Sequence, residues 1–360
     1  MQIPMALLLD KFGPRNVISA SAFLCGVATW MMVLFDSWNV ALLSRLLIGI
    51  GSVVGFLGTS KVISQWFAKG RYARLVGLTF SFGLLGAVYG GAPVSLLIGR
   101  LGWEKVLEVL GTAAILLGVC IFTFVRNKQQ DAVKNPPLVA SLKQLLCNRP
   151  LLTLAFANLL MVGALEGFAD VWGVPYLMAA RDLTKFEAAS FTKYIFIGML
   201  FGGPLLAYFS EKFKAHYVVT MLCGVFMALL LATLLVFNSM LPDWTLVLFM
   251  FAIGLLCCYQ VIVFAIGTEL VSASLMSITV AFLNCINMFG GSFFHSVIGR
   301  LMDYFEQGTM LNGVKVYSVE AYTCTLALIP LASLVGVVLV WWSKKANCQT
   351  TVMGAMQHDL

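Results

Sequence analysis

The chain has 360 residues, of which 60% are hydrophobic and only 11% are charged, and its mean hydropathy is +0.93. Soluble domains carry roughly 45–50% apolar and about 25% charged residues, so this composition excludes an ordinary soluble protein. The formal net charge of +7 is spread over lysines and arginines that stand between hydrophobic segments, which indicates membrane topology and predicts no nucleic-acid partner.

Long hydrophobic runs predict an all-α polytopic membrane protein. A helix needs about 20 apolar residues to cross the hydrocarbon core, and these runs are too long and continuous for the alternating strands of a membrane barrel. We predict a helix fragment followed by ten full helices, at residues 1–9, 16–35, 39–65, 73–98, 104–125, 150–178, 190–209, 216–237, 244–267, 273–300 and 321–342.

Basic residues between the helices predict their orientation. If the turn at residues 10–15 faces the cytoplasm, most lysines and arginines outside the helices lie on that side, as the positive-inside rule requires. A long basic connection then separates two groups of helices. We predict an N-terminal bundle of about five helices at 1–125, a central cytoplasmic loop at 126–149, a C-terminal six-helix bundle at 150–342 and a cytoplasmic tail at 343–360.

Short motifs in both halves of the chain carry a resemblance to a known family. "ALLLDKFGPR" at residues 6–15 resembles the loop between the second and third helices of the major facilitator superfamily. "RLLIGIG" at 45–51 is similar to the second motif of that family, and "WFAKGRYARLVGL" at 66–78 to its next inter-helix loop. "PLLAYFSEKFK" at 204–214 repeats the first motif in weakened form, and such internal repeats are typical of transporter folds.

The resemblance implies a major facilitator fold of two pseudo-symmetric helix bundles, and a secondary transporter that works by alternating access. For its solute we consider an amino acid, a dipeptide or an organic anion, and we expect protons to be coupled to the transport. The alternatives are a proton-driven efflux antiporter, a non-transporting truncated membrane protein and a sensor.

In the family, the first motif forms charge contacts that break and re-form as the two bundles move. The resemblance therefore implies a conformational-switch loop, which we name the switch loop, at Asp10, Lys11, Gly13 and Arg15. A turn that only sets the topology is the competing interpretation, because Lys11 and Arg15 hold this turn on the cytoplasmic side in either case.

The helix count and two further stretches refine the resemblance. The family has twelve helices and this sequence starts within the second, so we expect a truncated gene model or a late start codon, with a genuine eleven-helix protein as the alternative. "FADVWGVPYLM" at 168–178 and "GMLFGGPLLAYFSEKF" at 198–213 resemble bacterial members related to lysosomal dipeptide carriers.

Ionisable residues inside the predicted helices are candidates for function, because a charge is costly in hydrocarbon. Arg45 is a candidate partner for an anionic solute or a proton-carrying acid, and a structural ion pair is the alternative. Lys61 lies nearer the cytoplasmic end, where its side chain is also able to reach the interface.

Glu166 and Asp170 stand four residues apart on one helical face. Two poorly hydrated carboxylates do not both ionise easily, which suits a proton site, although a water-exposed mouth is the alternative.

Other polar residues lie at membrane depth, namely Asn158, Tyr259, Gln260, Asn284, Asn287 and His295. Asn284 and Asn287 share a helical face and are able to hydrogen-bond a solute or a neighbouring helix. For His295 we favour a structural role, although a histidine titrates near neutrality.

In the family, helices one, four, seven and ten line the central path. The resemblance therefore places Arg45 and Lys61, the two carboxylates, and Tyr259 and Gln260 along the path for solute and protons.

Several other functions are not expected. The sequence has no GxxxxGK[ST] motif, so we expect no ATP-driven transport by this chain. It shows no Cys/His cluster with metal-ligand spacing and no nucleophile–base pair in a predicted helix, so we predict no enzyme activity, no metal and no cofactor. The expected partners are a small-molecule solute, protons and the lipid bilayer. We expect a monomeric multi-pass protein of the bacterial inner membrane.

Overall fold

The computed structural model of the chain describes residues 2–67, 69–127, 138–272, 275–305, 309–311 and 314–358. Almost all of these residues are helical, which confirms the predicted all-α class. The chain forms two compact units, Met1–Lys134 and Asn135–Leu360. The first unit contains α1 (Gln2–Leu34), α2 (Trp38–Ser52), α3 (Val54–Trp66), α4 (Lys69–Gly90), α5 (Ala92–Leu101) and α6 (Trp103–Phe124).

The second unit is larger and is also built of helices. Its elements are α7 (Leu138–Cys147), α8 (Arg149–Met161), a π-helical segment (Ala164–Trp172), α9 (Gly173–Arg181), α10 (Lys185–Lys212), α11 (His216–Phe237), a 3-10 turn (Asn238–Met240), α12 (Asp243–Cys257), α13 (Tyr259–Glu269), α14 (Met276–Phe305), β1 (Thr309–Leu311), β2 (Val314–Val316), α15 (Val319–Leu326) and α16 (Leu328–His358).

The two short strands form an antiparallel hairpin that the sequence analysis did not predict. β1 pairs with β2 so that Met310 lies opposite Lys315. Each strand has only three residues, which is too short for a period-2 pattern to be recognised, although an Asn-Gly pair stands between them in the sequence.

Within the described part of the chain, nine helical stretches are long and apolar enough to cross a membrane. They are Lys11–Leu34, Trp38–Ile63, Trp103–Phe124, Arg149–Arg181, Lys185–Lys212, His216–Phe237, Asp243–Glu269, Ile278–Phe305 and Val319–Asn347. A bent pair, Phe82–Gly90 and Pro93–Leu101, with an angle of 42° between its halves, would be a tenth. These stretches correspond to the ten full helices predicted from the sequence. α16 continues as a helix through most of the predicted tail, to His358.

Several of the spans are broken in the middle. The span Arg149–Arg181 passes from α8 into the π-helical segment, and the span Asp243–Glu269 is interrupted at Cys258, between α12 and α13. Broken helices are tolerated at membrane depth where the freed backbone groups are buried in protein or line a cavity. In Arg149–Arg181 the π-helical segment contains the predicted acidic residues.

Close helix packing in the second unit depends on glycine. Gly254 of α12 faces the backbone of Ile195 in α10, and Gly198 of α10 faces the backbone of Phe251, so that a Cβ on either glycine would collide with main-chain atoms. Small residues let helix backbones approach in this way within membranes. α10 and α12 are therefore fixed against each other, beside the broken span that carries the candidate site.

Candidate functional site

The two predicted acidic residues lie on the π-helical segment, and we call Glu166 and Asp170 the acidic pair. π-helical turns inside longer helices occur frequently at functional sites. Glu166 is half-buried and Asp170 is exposed, and the two carboxylates are close enough to interact electrostatically. The structure thus brings together these two predicted site residues.

α14 approaches the acidic pair through a glycine. An ideal Cβ at Gly291 would lie 2.6 Å from Glu166 Oε2, so the carboxylate occupies space that a side chain at Gly291 would fill. One turn further along α14, His295 Nε2 donates a hydrogen bond of 2.6 Å to the carbonyl oxygen of Glu166. His295 also lies within electrostatic range of Asp170. His295 was not among the predicted site residues, because a single histidine on an apolar helix is usually structural.

Three amide side chains belong to α8, α13 and α14, which pack against one another, and we call Asn158, Gln260 and Asn287 the amide cluster. Asn287 Nδ2 donates to Gln260 Oε1 over 3.4 Å. Among the described residues, both polar atoms of the Asn158 side chain, Gln260 Nε2 and Asn287 Oδ1 are buried without a hydrogen-bond partner. A buried polar atom without a partner costs about 1–3 kcal/mol, so this cluster has strong capacity to bind water or a polar solute group.

Two other predicted polar residues flank the amide cluster. Tyr259 is fully buried, and its hydroxyl donates to the backbone carbonyl of Asn158 over 3.3 Å. Asn284 is half-buried, one turn before Asn287 on α14. No group of three or more His, Cys, Asp or Glu side chains in the described parts of the chain is placed to hold a metal ion.

The basic candidates belong to the first unit. Arg45 is exposed on α2, whereas its neighbour Ser44 is fully buried, so Arg45 points away from the packed interior of this unit. Lys61 is half-buried on α3. α2 and α3 together form one span that is interrupted at Val53.

The switch loop is a kink inside α1 rather than an open turn. Gly13 adopts φ 79° and ψ 157°, a conformation that is essentially restricted to glycine, and Pro14 begins the next helical turn with its fixed φ. The Lys11 Nζ lies 5.3 Å from the centre of the Phe12 ring. The side chain of Asp10 lies outside the part of the chain that the structure describes.

Asn127 and Arg15 attach the switch loop to the end of α6. The Arg15 amide donates to Asn127 Oδ1 over 2.9 Å, and Arg15 Nε donates to the Phe122 carbonyl over 2.7 Å. The Arg15 guanidinium also lies 4.3 Å from the centre of the Phe122 ring. Gly13 is needed here as well, since an ideal Cβ would lie 2.6 Å from the Asn127 side chain. Asn127 was not predicted as a functional residue, and its position directly after a span was the available signal.

The far end of the broken span is anchored by Arg181. Its Nε donates to Asn238 Oδ1 over 2.9 Å, its Nη1 pairs with Asp243 Oδ1 over 2.8 Å, and its Nη2 donates to the carbonyls of Asn238 and Leu241. The Arg181 side chain is only 11% exposed. The guanidinium therefore connects α9 to the turn between α11 and α12.

Comparison with known proteins gives one family. The family model described as Major Facilitator Superfamily matches residues 1–295 of the chain. The "Probable sulfoacetate transporter SauU" of Cupriavidus necator is 28% identical over 115 residues, covering 32% of this chain and 27% of that protein. The "Probable galactarate/D-glucarate transporter GudP" of Escherichia coli K12 is 23% identical, covering 69% of this chain and 63% of that protein. The matched regions thus span less than two thirds of both relatives.

The fold has a counterpart among solved structures. The crystal structure of a bacterial homolog to the human lysosomal transporter Spinster, inward-facing and unoccupied, matches with a TM-score of 0.64 and 18% identity. The match covers 95% of this chain and 84% of that chain. At this identity the likeness concerns the fold.

Proposed function

Because the chain belongs to the major facilitator superfamily, we propose that it is a secondary transporter that carries a small organic anion together with protons by alternating access. Family membership confirms the identification made from the sequence motifs. It also confirms that the chain is not an enzyme, because the proteins of this family are transporters.

The proposed solute class follows from the names of the relatives. Sulfoacetate, galactarate and D-glucarate are small organic acids, and all are anionic at neutral pH. An anion needs positive charge and hydrogen-bond donors along its path, which Arg45 and Lys61 would provide in the first unit. Amino acids and dipeptides are the alternatives that the sequence analysis named.

The observation that carries the proposal of proton coupling is the position of Glu166. Its carboxylate lies inside a membrane-spanning stretch, beside Gly291, and within electrostatic range of Asp170. Ionisable residues at such positions are costly and usually belong to ion or proton pathways. Since repulsion between two nearby carboxylates favours the binding of one proton by the pair, we assign proton coupling to the acidic pair.

The amide cluster supports a hydroxylated acid as the solute. Its unpartnered atoms include two acceptors, Asn158 Oδ1 and Asn287 Oδ1, and two amide nitrogen donors, on Asn158 and Gln260. A hydroxyl group donates one hydrogen bond and accepts others, so adjacent hydroxyls on a sugar acid would satisfy both kinds of atom.

Transport by the full chain in liposomes tests the proposal. We expect uptake of labelled D-glucarate when the outside is more acidic than the inside, little uptake without the gradient, and loss of uptake when a protonophore is added. Sulfoacetate and alanyl-alanine serve as a non-hydroxylated anion and a dipeptide. Exchange of labelled for unlabelled solute that does not respond to the pH gradient would contradict proton coupling. Preferential uptake of alanyl-alanine over the two organic anions would contradict the solute class. If the solute accumulates inside the liposomes only when protons flow outward, the protein is a proton-driven antiporter, that is, an exporter.

A further inference from the structure

A polar stripe runs along α14 and faces the broken span Arg149–Arg181. Asn287, Gly291 and His295 are spaced four residues apart, so they lie along one face of the helix. Asn287 bonds Gln260, Gly291 accommodates the Glu166 carboxylate, and His295 bonds the Glu166 carbonyl. This stripe therefore connects the amide cluster to the acidic pair through three successive turns of one helix.

The hydrogen bond of His295 defines which ring nitrogen is able to bind a proton. A carbonyl oxygen only accepts, so Nε2 must carry the hydrogen in the bond to Glu166. In the neutral ring Nδ1 then has a free lone pair. His295 is half-buried, and it interacts electrostatically with Asp170. The ring thus has one nitrogen held by the main chain, and Nδ1 is the nitrogen that would bind a second proton.

The charged surroundings of His295 come mainly from one element. The π-helical segment contributes both carboxylates of the acidic pair. α15, which also packs on α14, carries Glu320, which is exposed, and Tyr322, whose ring contacts the rings of Tyr176 and Tyr317. On α14 itself, Arg300 and Asp303 are exposed and lie more than one turn beyond His295. Asp170 of the acidic pair is therefore a charge partner of the imidazole.

We propose that His295 is a third proton-binding group of the transport site, and that it exchanges the coupled proton with the acidic pair. This inference rests on the proposed function. The proton leaves the Asp170 carboxylic acid and binds His295 Nδ1, which leaves an aspartate anion beside an imidazolium cation. Nε2 keeps its hydrogen and its bond to the Glu166 carbonyl throughout. The coupled proton is then able to move within the site.

The electrostatic benefit explains why a histidine would be placed here. When a proton leaves the acidic pair for solvent, two carboxylates remain in a region of low dielectric constant, where repulsion between them is strong. When the proton moves to His295 instead, the imidazolium compensates one of the carboxylate charges. The net charge of the site is the same whether the proton is on the acidic pair or on His295, so the loaded site keeps one negative charge fewer than the deprotonated site while the proton moves within it.

Two variants separate proton binding from hydrogen bonding. The His295→Gln side chain retains an N–H donor that is able to reach the Glu166 carbonyl, but it does not titrate, whereas His295→Leu loses both properties. We expect His295→Gln to lose uptake driven by a pH gradient and to retain exchange between equal pools of solute. His295→Leu should lose both activities. His358→Gln, near the end of α16, is the matched control and should behave as the wild-type protein.

The outcomes distinguish this inference from the proposed function. Wild-type pH-driven uptake by His295→Gln would overturn the inference and leave the proposed function intact, because the ring would then act only as a donor. If the wild-type protein itself shows no pH-driven uptake, the proposed function fails and the inference fails with it.

A spectroscopic measurement reads the ring without transport. The full chain labelled with 15N-histidine in lipid is titrated, and the signals absent from the His295→Gln spectrum are assigned to His295. We expect the ring to carry a hydrogen on Nε2, and the Nδ1 signal to change when Asp170 is replaced by Asn. A ring with its only hydrogen on Nδ1, or an Nδ1 signal unaffected by Asp170→Asn, would overturn the inference.

Discussion

The Glu166 carboxylate occupies the space that a side chain at Gly291 would fill: an ideal Cβ at position 291 would lie 2.6 Å from the carboxylate oxygen of Glu166. Real Cβ atoms do not approach so closely, and the atom that must move is the end of the Glu166 side chain. The glycine at position 291 therefore leaves room for this carboxylate against α14.

Gly291→Ala should displace the Glu166 carboxylate without unfolding the protein. We expect pH-driven uptake to fall about tenfold or more, since misplacement of a reacting group by about 1 Å has effects of that size in enzyme sites. Gly203→Ala is the matched control, because a Cβ at Gly203 on α10 would meet nothing within 4 Å. Equal uptake by the two variants would show that the carboxylate position is not critical.

The membrane spans were predictable from the sequence, whereas the π-helical segment in one of them was not. Hydropathy identifies the stretch Arg149–Arg181 because nearly all of its residues are apolar. The segment Ala164–Trp172, which packs against α14, has π-helical hydrogen bonding, and this change leaves no mark in a hydropathy profile.

The candidate site was partly predictable for a similar reason. Glu166 and Asp170 stood out because acids are rare inside spans, and their helical spacing placed them together correctly. The contact between His295 and the Glu166 carbonyl involves residues 129 positions apart, so no local spacing rule reveals it. Asn127 was missed because a polar residue after a span has many possible roles, and its contact with Arg15 spans 112 positions.

Gly13→Ala should impair the switch loop through two separable effects. The variant must adopt a conformation with φ near 79°, and its Cβ would meet the Asn127 side chain. Gly102 provides a matched control, because its φ of 83° and ψ of 154° are nearly the same and a Cβ there would meet nothing within 4 Å. We expect Gly13→Ala to reduce transport more than Gly102→Ala. Similar losses in both would mean that backbone strain alone matters, and that the Asn127 contact does not.

Arg181→Ala should destabilise the second unit more than Asp243→Asn does. The Asp243 carboxylate is 79% exposed, and exposed ion pairs contribute about 0–1 kcal/mol. The hydrogen bonds to the carbonyls of Asn238 and Leu241 are donated by the Arg181 guanidinium, which is largely buried. Removal of this donor leaves the two carbonyls without it, and the loss of a buried partner costs about 1–3 kcal/mol. Thermal unfolding of the two variants in detergent measures the difference. A larger effect of Asp243→Asn would contradict this assignment.

Arg45→Ala should abolish uptake of an organic anion while the protein still reaches the membrane. Arg45 is exposed and its neighbour Ser44 is buried, so removal of the guanidinium leaves the packing of α2 unchanged. Arg45→Lys should restore part of the uptake, because lysine keeps the charge but loses bidentate hydrogen bonding. Arg100→Ala, at the end of α5 and also exposed, is the control. Uptake by Arg45→Ala at the level of this control would show that Arg45 does not bind the solute.

The acidic pair makes the sharpest prediction about coupling. Glu166→Gln and Asp170→Asn keep the size of each side chain and remove the ability to release a proton. A transporter without its coupling acid should lose uptake driven by a pH gradient, yet it should still exchange labelled for unlabelled solute between equal pools, because that reaction needs no net proton movement. We expect this dissociation in at least one variant. Glu187→Gln, at the capping box that begins α10, tests whether any lost acid has the same effect, and it should leave pH-driven uptake unchanged. If both variants of the acidic pair retain pH-driven uptake, the coupled proton is carried elsewhere in the transporter.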